Sequence, residues 1–283
     1  MTRGERAACV IGWPIKHSRS PLIHNYWLKT YGIAGAYRPE AVRPEEFRAF
    51  TQSLAARGYA GANVTVPHKE AALADSEPDA RARAVGAANT LWLDGTVLRS
   101  TNTDVEGFLN SLDAGAPGWD RDLKKSVVLG AGGAARAVVH ALLERGVERV
   151  VAVNRTAERA ETLRERFGAR VHPTRWGERN AVLGDAGLLI NTTTLGMGGQ
   201  PELILDIGRL PGHAIVVDLV YVPLVTPLLR AARQRGYRTA DGLGMLMHQA
   251  VGGFALWFGK KPEVTAELRA RLEADLALPA ASP

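Results

Sequence analysis

Short apolar runs alternate along this chain with stretches whose apolar residues recur every three or four positions, the pattern of a parallel α/β sheet with crossover helices. Ala7 to Ile11 predicts a first strand. After the loop Gly12-Trp13-Pro14, Ser20 and Pro21 read as N-cap and first residue of a helix that Gly32 closes. Pro44 and Gly58 bracket the next helix, and Tyr59 to Val66 predicts a strand that Pro67 ends, with polar helical material following through Arg83. Ala88 to Leu93 and Thr96 to Arg99 flank Asp94-Gly95, a two-residue hairpin signal.

Between Val105 and Lys125 the pattern predicts a connecting helix and a Gly/Pro-containing loop, after which strands and helices alternate afresh. The second series runs Ser126 to Leu129, helix, Arg149 to Val153, helix, Gly187 to Asn191, Ala214 to Asp218, helix, and Arg238 to Ala240. Thr226 as N-cap, Pro227 in the first turn and Gly236 at the end delimit its last helix. The helical tail from about Leu243 suits either half by periodicity alone.

At 283 residues the chain is long enough for two such cores. Its single cysteine, Cys9, has no intramolecular disulfide partner and sits in an apolar run, which fits a reducing compartment and a small core residue. Arg3, Glu5 and Arg6 precede a short apolar run broken by Pro14, with no signal-peptide pattern, so the cytoplasm is expected. The apolar segment Leu243 to Phe258 contains His248 and Gln249 and is shorter than the roughly 20 residues a bilayer span needs. The net charge of +6 comes from basic residues interleaved with Glu, which favours small anions over nucleic acid or a membrane surface as partners.

Gly130-Ala131-Gly132-Gly133-Ala134-Ala135 follows a β-branched strand and opens a helix, which is where Gly-x-Gly-x-x-Ala has meaning. Glycines permit a tight turn and close approach of a pyrophosphate, and the helix N-terminus offers unpaired N–H groups. At the end of the following strand, an Asp or Glu would take the ribose 2′-OH of NAD. This chain has Asn154-Arg155-Thr156 there, with Arg159 one turn on. A guanidinium forks onto a 2′-phosphate and neutralises it, so the expected cofactor is NADP. The competing reading makes Arg155 and Arg159 solvated residues balanced by Glu158, Glu161 and Glu165.

The stretches Gly12-Trp13-Pro14-Ile15-Lys16-His17-Ser18-Arg19-Ser20-Pro21, Gly61-Ala62-Asn63-Val64-Thr65-Val66-Pro67-His68-Lys69, Gly86-Ala87-Ala88-Asn89-Thr90, Asn102-Thr103-Asp104 and Asp241-Gly242-Leu243-Gly244-Met245 join the glycine loop in a set spanning nearly the whole chain. In these it resembles the shikimate dehydrogenase family. The resemblance implies an α/β fold of two domains: a substrate domain over residues 1–106, an NADP-binding Rossmann-type domain over 107–242, and C-terminal helices over 243–283 returning to the first domain, with the reaction in a cleft between. It implies reversible NADPH-dependent reduction of 3-dehydroshikimate to shikimate, in aromatic amino acid (chorismate) biosynthesis, by a cytoplasmic monomer or homodimer.

By the same resemblance, Ser18 and Ser20 match the pair that hydrogen-bonds the substrate carboxylate, and Tyr221 matches an aromatic hydroxyl aimed at that group. Thr65, Asn89, Asp104 and Gln249 match positions that hold the ring hydroxyls, Lys69 and Asp104 match the pair at the reacting hydroxyl, and Leu219 and Gly242 match backbone positions near the nicotinamide. Gly130, Ala131, Gly132, Gly133, Ala134, Asn154, Arg155, Thr156 and Arg159 form the cofactor set. The chain departs from many relatives at Thr101, where they carry an acidic residue, and at Asn191-Thr192-Thr193, where Asn-Ala-Thr is common.

The chemistry accounts for these residue types. Hydride reaching a ketone leaves an alkoxide that a donor such as Lys69 protonates, while Asp104 orients the ammonium. A hydrogen bond to each ring hydroxyl discriminates strongly, because an ill-fitting substrate leaves buried polar groups unpaired. Taken singly, each residue has a duller reading: Ser20 or Asp104 as a helix cap, Lys69 as a solvated lysine, Thr65 as a β-branched strand residue, Asn89 as a turn residue. His17, His24 and His68 show no metal-ligand spacing and read as structural or surface residues, so no metal is expected. The alternatives are a quinate/shikimate dehydrogenase of broader specificity and a non-catalytic NADP-binding metabolite sensor. Ser18, Ser20 and Arg155 favour shikimate and NADP over the first, and the Lys69 and Asp104 pair counts against the second.

Overall fold

Two strand-rich stretches, each with its own apolar face to bury, fold into two separate units. The computed structural model describes residues 6–278, so Arg3 and Glu5 lie outside the described residues. Among the described residues, unit 1 runs to Asp104 and includes Gln249–Asp275; unit 2 runs from Val105 to His248 and takes Leu276–Leu278.

In unit 1 the elements are β1 (Arg6–Gly12), α1 (Ser20–Thr30), β2 (Gly35–Ala41), α2 (Phe47–Gln52), β3 (Tyr59–Val64), α3 (Lys69–Ala74), β4 (Glu77–Pro78), α4 (Ala80–Val85), β5 (Thr90–Asp94) and β6 (Val97–Thr101). The sheet order is β2-β1-β3-β5-β6-β4. Strands β2, β1 and β3 are parallel, and β5 pairs antiparallel with both β3 and β6. Register places Ile11 opposite Val64. Two backbone bonds then tie the loops beyond, Thr65 N–H to the Ile11 carbonyl (2.9 Å) and Trp13 N–H to the Val66 carbonyl (3.1 Å). The loop carrying Ser18 is thereby anchored beside the turn carrying Thr65 and Lys69.

One face of this sheet buries Cys9, Ile11, Phe47, Leu54, Ala62 and Leu91. Against the sheet, His24 of α1 stacks on Tyr37 of β2 at 4.0 Å, with Trp27, Phe254 and Trp257 around it. His24 is fully buried, and neither ring nitrogen makes a hydrogen bond. Burial therefore lowers its pKa to about 3, and it is held as a neutral member of the aromatic cluster. The Trp257 indole N–H donates to the Leu91 carbonyl (2.8 Å), fixing the late helical segment to β5. Glycine is required at Gly61, where a Cβ would run into Trp257 and the Leu91 carbonyl.

In unit 2 follow α5 (Asp104–Gly115, its first residue still in unit 1), β7 (Lys125–Leu129), α6 (Gly133–Glu144), β8 (Arg149–Asn154), α7 (Ala157–Phe167), β9 (Val171–Arg175), β10 (Leu188–Asn191), β11 (Ile215–Asp218), α8 (Pro227–Gln234) and β12 (Arg238–Asp241). All neighbours pair in parallel in the order β12-β11-β10-β7-β8-β9. This is the doubly wound dinucleotide-binding order, whose strand sequence reverses beside β7. Its strands are buried on both faces, as a covered parallel sheet requires. The unit boundary then falls within α9 (Gly242–Phe258), and α10 (Ala266–Ala277) follows.

Several local expectations change. Ser20 is the first helical residue and not the N-cap; Arg19 occupies that position without a side-chain cap, and Pro21 comes second. The hairpin turn is Gly95-Thr96, since Asp94 pairs with Val97. Gly95 at φ 62° supplies the left-handed first position that the Asp-Gly pair had suggested one residue earlier. Strand β3 ends at Val64, two residues before Val66. Strands β2, β4 and β9 were not expected at all; each carries a proline (Pro39, Pro78, Pro173), and each lies at a sheet edge, where a missing N–H is tolerated. Thr226 does cap α8, accepting from Leu229 N–H at 3.2 Å. No helix among the described residues is long and apolar enough to cross a membrane.

Candidate active site

In unit 1 the turn after β3 ends in His68, whose ring stacks on Phe47 at 4.7 Å and lies 2.8 Å from the Val42 carbonyl through Nε2. Burial lowers the pKa of His68, which fits a neutral ring donating Nε2–H to that carbonyl. The anchored His68 aims the next residue, Lys69, at the start of α3. An ammonium at a helix N-terminus faces the positive end of the peptide dipoles, an unfavourable placement for a purely structural lysine. Asp104 offsets it: Lys69 Nζ lies 2.5 Å from Asp104 Oδ2, with side chains 14% and 7% exposed.

Asp104 is fixed from three directions. It opens α5, where the dipole favours a carboxylate, and its backbone N–H donates to Asn102 Oδ1 (3.0 Å). Asn102 Nδ2 is itself bonded to the Ala87 carbonyl (2.9 Å). Asn89 Nδ2 donates to Asp104 Oδ1 (2.9 Å) and lies near Thr103 Oγ1 (3.0 Å) and Gln249 Oε1 (3.4 Å). Asn89 Oδ1 accepts from the Thr103 N–H (2.7 Å). The structure thus brings Lys69, Asn89, Asp104 and Gln249 into one buried cluster and gives Asn89 the task of holding Asp104. Asn102 and Thr103 are members that the residue-by-residue reading passed over; their signal was their place in the same Asn-Thr-Asp segment.

Ser18, Ser20 and Thr65 contrast with this cluster. Ser18 Oγ accepts from Ser20 N–H (3.3 Å), whereas the hydroxyls of Ser20 and Thr65 have no protein partner among the described residues. Among the described residues no cluster of His, Cys, Asp and Glu could hold a metal ion.

In unit 2 a groove of about 330 Å³ opens at the carboxyl ends of β7 and β8, lined by Gly130, Ala131, Gly132, Asn154, Arg155, Trp176 and the loop after β10. Gly130 sits at φ 111°, and a Cβ there would meet Thr192 Oγ1, so glycine is required by the fold. At Gly132 an added Cβ meets nothing within 4 Å: the space beside this backbone is open. Gly132 is the N-cap of α6, with no side chain satisfying the first-turn N–H groups of Gly133 and Ala134. Those groups and that space fit a pyrophosphate.

Asn154 Nδ2 bonds the Thr156 carbonyl (2.9 Å), which shapes the turn, and Thr156 caps α7 without spending its hydroxyl. Arg155 and Arg159 are exposed and form no direct ion pair among the described residues, with Glu158, Glu161 and Glu165 or otherwise. Two unpaired guanidinium groups at this strand end fit a 2′-phosphate. Leu219 and Gly242 come together, because a Cβ on Gly242 would collide with the Leu219 carbonyl. Tyr221 lies two residues beyond Leu219 in unit 2.

The segments after β10 and β11 are held by a buried network with no counterpart in the sequence reading. Asp218 accepts from Asn191 Nδ2 (2.9 Å), Val220 N–H (3.1 Å) and Thr226 Oγ1 (2.7 Å), and burial raises its pKa. Thr193 Oγ1 donates to Asn191 Oδ1 (2.7 Å), and Thr192 Oγ1 donates to the Leu129 carbonyl (2.7 Å). Thr192 thereby fastens this loop to β7.

Residues 10–91 match the family described as shikimate dehydrogenase substrate binding domain, residues 119–197 the shikimate / quinate 5-dehydrogenase family, and residues 242–270 the shikimate 5′-dehydrogenase C-terminal domain. The chain is 64% identical over 98% of its length to a shikimate dehydrogenase (NADP(+)) of Rhodopseudomonas palustris, covering 99% of that protein. It is similar to the crystal structure of shikimate 5-dehydrogenase from Thermus thermophilus in complex with NADP(H) and shikimate, with TM-score 0.83, 36% identity and coverage of 96% and 99% of the two chains. It is also similar to quinate dehydrogenase from Corynebacterium glutamicum in complex with NAD, with TM-score 0.86, 30% identity and coverage of 95% and 99%.

Proposed function

The chain belongs to the shikimate dehydrogenase family, and on that premise we propose how its own residues carry out the reaction. It is an NADP-dependent oxidoreductase acting on a CH–OH group, interconverting shikimate and 3-dehydroshikimate in aromatic amino acid biosynthesis. The observation that supports the residue roles best is the 2.5 Å contact between Lys69 Nζ and Asp104 Oδ2, held by Asn89.

When bound, NADP supplies or accepts the hydride. Lys69 handles the accompanying proton at the substrate oxygen, donating it as the ketone is reduced and taking it up in the reverse direction. Asp104 orients the ammonium and hydrogen-bonds the same hydroxyl. Ser18 and Ser20 take the carboxylate, joined by Tyr221. Thr65, Asn89, Asp104 and Gln249 hold ring hydroxyls, Asn89 also holding Asp104 in place. Gly130 to Ala134 cradle the pyrophosphate, Asn154, Arg155, Thr156 and Arg159 hold the 2′-phosphate, and Leu219 and Gly242 present backbone to the nicotinamide. The domain assignment follows: a substrate domain with the late helices, and a separate NADP domain, in a cytoplasmic enzyme that is a monomer or homodimer.

The test is NADPH formation with shikimate and, in parallel, with quinate. Ser18 and Ser20 predict a higher kcat/KM for shikimate. Turnover absent with folded protein would favour a metabolite sensor, and a higher kcat/KM for quinate would reassign the substrate.

A further inference from the structure

Resting on the NADP reading above, the geometry points to Trp176 as the surface on which the adenine ring of the cofactor stacks. Trp176 follows the last residue of β9, and the β8/β9 register places Arg175 opposite Asn154. The indole therefore begins where both strands end, at the carboxyl edge where open α/β sheets take their ligands. It lines the same groove as Gly132, Asn154 and Arg155, and among the described residues it is the only aromatic side chain that does so.

The ring is half-buried and packs partly on the unit 2 core. The Arg179 guanidinium stands over it at 5.3 Å from the ring centroid. Arg179 is not among the residues that line the groove. Arg179 is itself held by bonds to the Trp176 carbonyl (3.0 Å) and the Ile204 carbonyl (3.1 Å). The indole is thus fixed before a ligand arrives, which removes the entropy cost of ordering it. Apart from Arg155, whose planar guanidinium is assigned to the 2′-phosphate, the other groove walls are glycine backbone and small, aliphatic or uncharged polar side chains without a π-face. Arg175 stays out of the assignment because it shares a separate cavity of about 220 Å³ with Glu161 and Glu178.

Calorimetric titration of wild type, Trp176→Leu and Trp176→Phe with adenosine 2′,5′-bisphosphate, which carries the adenine and the 2′-phosphate without nicotinamide, tests the inference. Trp176→Leu should weaken binding about tenfold, the scale of one lost base–aromatic stack, while Trp176→Phe should stay within about threefold of wild type. Binding by folded Trp176→Leu within about twofold of wild type overturns the inference and leaves the NADP reading intact. Failure of wild type to bind NADPH overturns the NADP reading instead. Should Trp176→Leu not fold, saturation transfer between the adenine protons and an indole, assigned by its loss in Trp176→Phe, decides; wild type with no such transfer refutes the stack.

Discussion

The Lys69–Asp104 cluster of unit 1 and the glycine-loop groove of unit 2 are prepared in opposite ways. In the first, the ammonium, the carboxylate and the amide behind it already have partners, and little of them reaches solvent. In the second, Arg155 and Arg159 are exposed with no ion pair among the described residues, and a helix N-terminus is left without a side-chain cap. The difference follows from what each must do. A proton-transfer group needs its orientation fixed before the substrate arrives. A dinucleotide brings its own negative charge, and cations already paired would have to be released before binding it.

The largest effect that would break this contrast is on turnover. Lys69→Ala should lower kcat about 10²-fold or more with a smaller change in KM; steady-state kinetics showing kcat barely moved would remove the prepared proton donor. Next comes the open groove: Arg155→Ala should raise the KM for NADP on the order of fiftyfold, the scale of a lost charge-assisted hydrogen bond, with little change for NAD. An equal rise for both cofactors would mean that Arg155 does not read the 2′-phosphate.

A third measurement sharpens the contrast by locating the pH sensitivity of stability in unit 1. Because burial holds the folded pKa of His24 at about 3, below the ordinary 6.5, the unfolded chain binds the extra proton. Stability is whole above the unfolded pKa and is lost as pH falls toward the folded one. Between pH 7 and pH 5, wild type should lose about 2 kcal/mol more unfolding free energy in urea than His24→Phe. Equal losses would show that the imidazole is not held neutral. The smallest effect is at Arg159, one turn further from the strand end: Arg159→Ala should raise the NADP KM about threefold, as an exposed ion pair contributes little.

Much of this was legible in residue types and spacing. Gly130, Gly132 and Arg155 announce themselves because backbone freedom and a guanidinium at a strand end have few other uses. Lys69 and Asp104 lie far apart in sequence and gained meaning only from the family pattern; the six-stranded fold of unit 1 is what closes the distance between them. Asn89 was expected at the substrate, and its bonds to Asp104, Thr103 and Gln249 are a second role that only the tertiary fold supplies. Trp176 was invisible because the strand before it was: Pro173 interrupts the run, so neither β9 nor the position beyond it could be read. The Asp218 network escaped for a similar reason, since Asn191, Thr193 and Thr226 meet only after three separate segments have folded.

Those interrupting prolines bear on the life of the chain outside its native state. Strands β2, β4 and β9 form outer rows of the two sheets, and Pro39, Pro78 and Pro173 each delete one donor from a row that could otherwise template another molecule. A neighbouring copy, folding at high concentration, finds a gap at these three edges where it would have laid down its own backbone, which leaves β12, among the described residues, as the one outer row without a proline.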